Sequence, residues 1–281
     1  MAENTPQGLP QLCEDVKKIV PKELGEHAWY LLLSNHRKKA AILINSPTNT
    51  HLASLYSHLA STPEFSTPEA QAELSQRLRD VLLKEVTLVG APQVLAALIP
   101  FAKVSAPPGT TVASAAAAST ISPQYLISDP DAIKARGVAK INGIYGPALL
   151  PNVFASFGSH SADIQHMELF TVYGLYLSDH ALISALETEM IVFVSILTTG
   201  LRGPSLWHIR GMGRLLGARG TDESGAKMAK VKDMVRQVKL AAITAVEWCG
   251  PDYVAKSKLN QGWPNVGDVL RELGGWGDDD I

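Results

Sequence analysis

Apolar residues recur at helical spacing along most of this chain, and runs of alternating β-branched residues are scarce. Leu52, Leu55, Tyr56 and Leu59, for example, lie three or four positions apart and therefore share one face of a helix. A further apolar helix is predicted to begin at Pro21. This pattern predicts an all-α protein.

Capping residues and helix breakers locate several of the predicted helices. Thr67 followed by Pro68 and Glu69 is a helix start signal, and that helix is predicted to end at Gly90. The next helix is predicted to begin at Pro92. Later helices are predicted over 131–144, 147–157, 163–177, 179–199, 204–216 and 222–248, with Ser178 and Thr221 as caps.

Composition shifts divide the chain into segments. Residues 105–124 are rich in Ala, Ser, Thr and Pro, which predicts a linker or loop. We expect an N-terminal helical half over 1–104, a C-terminal helical half over 125–251 and a tail over 252–281.

The two halves contain a weak internal repeat. A helix, a glycine, a proline and a second helix follow one another from Arg79 to Pro92 and again from Glu189 to Pro204. The fold is therefore predicted to be a helical bundle of two related helix-hairpin halves. Arg79 takes the place of Glu189 in the first copy, and no histidine follows it, so one active site per chain is expected.

Composition excludes several classes of function. The chain has 281 residues, a hydrophobic content of 46% and a formal charge of -2, and no basic stripe indicates a nucleic-acid surface. No apolar run reaches the ~18 residues that a membrane span needs. The start lacks the features of a secretory signal, and Cys13 and Cys249 are far apart, so a cytoplasmic protein without a disulfide framework or a zinc site is expected.

Glu189 and His208 are the strongest candidates for chemistry. They are separated by 19 positions (208 − 189) and lie on consecutive predicted helices joined by a turn at Gly200. A carboxylate and an imidazole that meet near the core can transfer protons to and from a substrate. The same pair can also fix one helix against another without catalysis.

The run from Glu189 through Gly200 to His208-Ile-Arg210-Gly211 resembles the motif of the carboxymuconolactone decarboxylase and alkylhydroperoxidase D-like superfamily. In the peroxidase branch two redox cysteines lie between the Glu and the His, but this chain has Leu201 and Pro204 at those positions. Neither residue can form a thiolate, so a thiol peroxidase is excluded at this site. The resemblance, which covers about 163–228, is therefore to the cysteine-less decarboxylase branch.

The resemblance implies an activity and roles for individual residues. It implies a cofactor-free decarboxylase, or a related lyase or isomerase, that acts by proton transfer on a small carboxylated lactone or polyketide-like acid. Glu189 would move the proton, His208 would stabilise the enolate, and Arg210 would hold the substrate carboxylate. Trp207 would wall the substrate pocket. No cofactor and no metal are expected.

Several alternatives stay open on the sequence. Arg210 lies two positions from His208 and can therefore point to water or to a neighbouring subunit, and Trp207 can be plain core. The chain can also be a catalytically silent member of the family that serves as an oligomeric scaffold or ligand-binding protein. A remote third possibility is an antioxidant protein that uses Cys249. A homo-oligomer is expected because relatives pack their hairpins across subunits and because the helix over 191–197 is very apolar.

Overall fold

A computed structural model describes residues 8–34, 50–106, 129–249 and 263–277. These residues form helices and no strand, which confirms the predicted all-α class. The predicted linker over 105–124 lies outside the described residues from position 107 onward.

Helices are numbered here in chain order. The α-helices are α1 Leu9–Ile19, α2 Ala28–Ser34, α3 His51–Ala60, α4 Pro68–Val89, α5 Ala91–Ser105, α6 Pro130–Ala155, α7 Ser161–His166, α8 Ala185–Thr199, α9 Arg202–Leu215, α10 Ala226–Trp248 and α11 Val266–Leu273. Short 3-10 turns occupy Lys22–Leu24, Pro63–Phe65 and Gly158–His160, and Met167–Leu177 is a π-helix.

Some predicted helix starts are confirmed and others are wrong. The side chain of Thr67 accepts a hydrogen bond from the backbone of Ala70 at the start of α4, as predicted. Ser178 is not the N-cap of the following helix, because its hydroxyl donates to the carbonyl of Gly174 at the end of the π-helix. The following helix, α8, begins only at Ala185, where Ser184 forms a reciprocal capping box with Glu187.

The other cap prediction also differs from the structure. The hydroxyl of Thr221 donates to the carbonyl of Ala218, and α10 begins at Ala226 after Gly225. The helices α1 and α11 were not predicted. α11 carries the tail back onto the body, where the buried ring of Trp276 packs so closely on Gly213 that an added Cβ would lie 2.2 Å from it.

Both predicted hairpins are present. Gly90 separates α4 from α5, and Gly200 separates α8 from α9. Glu85 and Ser195 each lie five positions before the glycine of their hairpin (90 − 85 and 200 − 195), and the Ser195 hydroxyl donates to Glu85 at 2.7 Å. Equivalent residues that touch each other are what a two-fold relation between the hairpins would produce, and that relation stays a prediction.

α6 and the π-helix pack closely because glycines face the contact. A Cβ on Gly137 would lie 1.8 Å from the carbonyl oxygen of Leu169, and a Cβ on Gly174 would lie 2.7 Å from that of Ile133. α6 also bends at Gly146, whose φ of 78° is left-handed, so the predicted break between 144 and 147 is present as a kink.

The apolar helix that suggested an oligomer is covered by the chain itself. Ile191, Phe193 and Leu197 are fully buried in the main core, together with residues from both predicted halves. This burial removes one reason for expecting a homo-oligomer, which stays a prediction. Within the described ranges no helix is long and apolar enough to cross a membrane.

Candidate active site

The hairpin of α8 and α9 places Glu189 and His208 at similar distances from the turn that joins the two helices. Gly200 ends α8 in a left-handed conformation, with φ 73° and ψ 25°, and α9 packs against α8. Glu189 lies 11 positions before Gly200 (200 − 189), and His208 lies eight after it (208 − 200). At the rise of an α-helix these separations correspond to ~16 Å and ~12 Å from the turn, so the two side chains can meet.

The two side chains form a buried hydrogen bond. Nδ1 of His208 lies 2.8 Å from Oε1 of Glu189, and the exposed fractions of the two residues are 2% and 0%. When Nδ1 donates to the ionised carboxylate of Glu189 and the imidazole is neutral, Nε2 is left as an acceptor. Gly211 makes room for the pair, because a Cβ there would lie 2.7 Å from Oε1 of Glu189.

Two tyrosines continue the polar chain away from Glu189. The hydroxyl of Tyr145 lies 3.2 Å from Nε2 of His208, and the hydroxyl of Tyr173 donates a hydrogen bond to Tyr145. Burial raises the pKa of both phenols well above the ordinary value, so both stay protonated near neutral pH. The result is a connected series of Glu189, His208, Tyr145 and Tyr173.

This series ends on the wall of a cavity of about 550 Å³. His208, Tyr145 and Tyr173 line the cavity, whereas Glu189 lies behind His208 and is not part of the wall. Most of the other lining side chains are apolar or aromatic, as expected of a small-molecule site. The cavity reaches the surface near Phe157 and Met167, whose exposed fractions are 36% and 43%.

The π-helix forms one side of the cavity. Its lining residues fall into sets with a spacing of five: 167, 172 and 177, then 168 and 173, then 171 and 176. Hydrogen bonds in a π-helix run from i to i+5, so residues five apart lie on about the same side. Glu168 and Tyr173 thereby reach one wall, and burial raises the pKa of Glu168.

The structure separates the two predicted substrate-binding residues. Trp207 lies on the cavity wall, with its ring 5.9 Å from that of Tyr145. Arg210 lies outside the wall: its Nε donates to the carbonyl of Gly275 at 3.0 Å, and Nη1 donates to that of Tyr145. Arg210 therefore joins α9 to the kink of α6 and to the tail. Leu201 is exposed, and Pro204 lines the cavity.

Neither Cys13 nor Cys249 lines the cavity. Cys13 is buried in α1, and burial raises the pKa of its thiol to about 12, which disfavours the thiolate. Cys249 lies half-buried at the end of α10.

The sequence did not single out Tyr145, Glu168 or Tyr173. Tyr145 stands inside Gly143-Ile-Tyr145-Gly146-Pro147, where the glycines and the proline indicate a turn and no local pattern marks the phenol as functional. Glu168 and Tyr173 lie five positions apart and line the same cavity. A spacing of three or four, the signal for an α-helix face, misses them.

The comparisons with known proteins give no relative for this site. No family model matches the chain, and neither a curated protein nor a solved structure matches it.

Proposed function

We propose that this protein is a cofactor-free enzyme that transfers protons within a small enolisable substrate, as a lyase or isomerase. The observation that carries the proposal is the series of Glu189, His208 and Tyr145, which ends on the wall of an apolar cavity. The resemblance at Glu189 to Gly211 points the same way and names decarboxylation of a carboxylated lactone or polyketide-like acid as one reaction of this kind.

The geometry favours His208 as the base. Its Nε2 is the acceptor nitrogen, and His208 lines the cavity, whereas Glu189 does not. In the proposed step a substrate enters and separates Tyr145 from Nε2. The nitrogen then takes a proton from a carbon next to the substrate carbonyl. The electron pair of that C–H bond forms a C=C bond, and the carbonyl π pair moves to oxygen.

Tyr145 and Tyr173 would stabilise the resulting enolate. Both phenols are protonated near neutral pH, so Tyr145, once separated from Nε2, can donate a hydrogen bond to the enolate oxygen while it keeps its bond with Tyr173. Where a further C=C bond is conjugated with the enolate, return of the proton from Nε2 to the far end of that bond shifts the double bond, completes an isomerisation and restores the neutral imidazole. Glu189 would hold the proton on Nδ1 and stabilise the imidazolium, so His208 takes the proton-transfer role that the resemblance implied for Glu189.

Hydrogen exchange in D2O tests the proposal. Proton NMR follows loss of the hydrogens next to the carbonyl of 2-tetralone, a neutral ketone, and of muconolactone, a lactone with a carboxylate. We expect the protein to accelerate exchange in at least one of the two. His208→Gln should reduce that acceleration by about 100-fold or more, and Glu189→Gln should reduce it as well.

The exposed His160 offers a matched control, and His160→Gln should exchange like the unchanged protein. If neither probe exchanges faster than in buffer, or if His208→Gln has no effect, proton-transfer catalysis is wrong. In that case the alternative of a silent ligand-binding or scaffold protein is favoured.

A further inference from the structure

The cavity wall has a charge pattern that bears on the substrate. Among the described residues that line it, Glu168 and His208 are the titratable groups apart from tyrosines, and none is Lys or Arg. Arg210 is directed to the carbonyls of Gly275 and Tyr145, and Nζ of Lys140 lies 3.4 Å from the carbonyl of Ala185. A carboxylate bound here would lose its water without gaining a lysine or arginine partner, and it would meet the carboxyl group of Glu168.

The rest of the wall is suited to a flat, unsaturated molecule. The rings of Tyr145 and Trp207 lie 5.9 Å apart and are inclined by 54°, and Phe154, Tyr173 and Tyr176 add further aromatic surface. Aromatic rings gain from offset or edge contacts with another ring, in addition to the area that they bury. The volume of about 550 Å³ is that of a site for a small organic molecule.

The polar groups on the wall suit a single oxygen. Nε2 of His208 can accept a hydrogen bond, and the hydroxyls of Tyr145 and Tyr173 can donate one. A phenolic hydroxyl can donate to Nε2 and accept from Tyr145, and a ketone or lactone carbonyl can accept from the tyrosines. A buried site that pairs these groups fully discriminates strongly for a ligand with an oxygen at this point.

We infer that the cavity binds an uncharged aromatic or conjugated molecule with one phenolic hydroxyl or enolisable carbonyl, and that it discriminates against carboxylates. This inference rests on the proposed function for the identity of the site. It narrows the reaction, because a substrate that enters without a carboxylate undergoes isomerisation and not decarboxylation. The carboxylated lactone that the resemblance implies is then not the substrate class.

Calorimetric titration with two probes of the same ring system tests the inference. 2-Naphthol is neutral at pH 8, and 2-naphthoate carries a carboxylate at that pH. We expect 2-naphthol to bind at least about tenfold more tightly than 2-naphthoate, because the carboxylate is desolvated without a lysine or arginine partner. Glu168→Gln removes the one carboxyl group on the wall and should narrow this difference in affinity, whereas Glu247→Gln, on the exposed side of α10, should leave it unchanged.

A variant that fills the cavity locates the binding. Ile196 lines the cavity and is only partly buried, so Ile196→Trp should abolish binding of 2-naphthol while the thermal melting of the protein is retained. If that variant fails to fold, Leu150→Trp serves the same purpose on the opposite helix, α6.

The outcomes separate this inference from the proposed function. Equal or tighter binding of 2-naphthoate overturns the inference, and so does failure of 2-naphthol to bind up to its solubility. If muconolactone exchanges its hydrogens while 2-naphthol does not bind, the proton-transfer function stands and the substrate class is wrong. If 2-naphthol binds in the cavity and no probe exchanges, the ligand class stands and catalysis is wrong.

Discussion

Glu85 offers a quantitative test of the core, because it is a carboxyl group without any exposed surface. The Ser195 hydroxyl donates to one of its oxygens, and the other oxygen has no hydrogen-bond partner. Burial raises the pKa of Glu85 from 4.5 to about 8, an effect that the hydrogen bond from Ser195 opposes only in part. The folded protein therefore holds a proton on Glu85 over a pH range in which the unfolded chain has lost it.

The sign of the effect follows from proton linkage. The folded-state pKa lies above the unfolded-state value, so the stability from this group is fully present below pH 4.5 and is lost as pH rises through about 8. Three pH units, from 5 to 8, at about 1.4 kcal/mol per unit, give a loss on the order of 4 kcal/mol. Glu85→Gln keeps the shape and the acceptor for Ser195 but cannot ionise. It should match the parent within about 1 kcal/mol at pH 5 and exceed it by several kcal/mol at pH 8.

Urea unfolding followed by circular dichroism measures this difference. The free energy of unfolding of the variant is subtracted from that of the parent at each pH. This subtraction cancels the contributions of other titrating groups, such as Asp80 and Glu168, whose pKa values burial also raises. Glu247→Gln, on an exposed surface, is the control and should run parallel to the parent. If the free energies of unfolding of Glu85→Gln and the parent change in parallel with pH, the burial argument is refuted.

Three further predictions concern packing, acid stability and Arg210. Gly137→Ala should lower the free energy of unfolding by about 1 to 3 kcal/mol, because the new methyl would lie 1.8 Å from the carbonyl oxygen of Leu169. An unchanged melting temperature would contradict this close contact. Burial lowers the pKa of His180 to about 4, so its contribution to stability is present above pH 6.5 and is lost as pH falls through 4. His180→Gln should therefore reduce the acid sensitivity of unfolding, and a pH profile identical to that of the parent would count against it. Arg210→Lys should destabilise the fold by about 1 to 3 kcal/mol through loss of the bond from Nε to Gly275, while the affinity for 2-naphthol is retained. Loss of affinity at unchanged stability would instead place Arg210 in the ligand site.

Features that depend on consecutive residues could be predicted from the sequence. The helical class, the start of α4 at Thr67 and Pro68, and the glycine ends of α4 and α8 all depend on neighbours within one turn. The predicted helix start was wrong where two possible N-cap residues lie close together in the chain. Ser178 and Ser184 are both acceptable caps, and the reciprocal bond with Glu187 favours Ser184.

The pairing of Glu189 with His208 was also accessible from the sequence. A short turn between two helices fixes how far along each helix a contact can lie, and a spacing of 19 fits such a contact. The sequence could not decide which member faces the cavity. That depends on Gly211, which admits the carboxylate behind His208, and on α6, which brings Tyr145 to the other nitrogen.

The sequence by itself determined most of the helices, the glycine turns after α4 and α8 and the meeting of a carboxylate with an imidazole, because each of these follows from periodicity and short-range geometry. The tertiary structure decided which side chains surround that pair. Tyr145 lies 63 positions from His208, and Arg210 is bound to carbonyls 65 positions away in both directions. Contacts at such separations depend on how whole helices pack, and no local pattern in the chain encodes them.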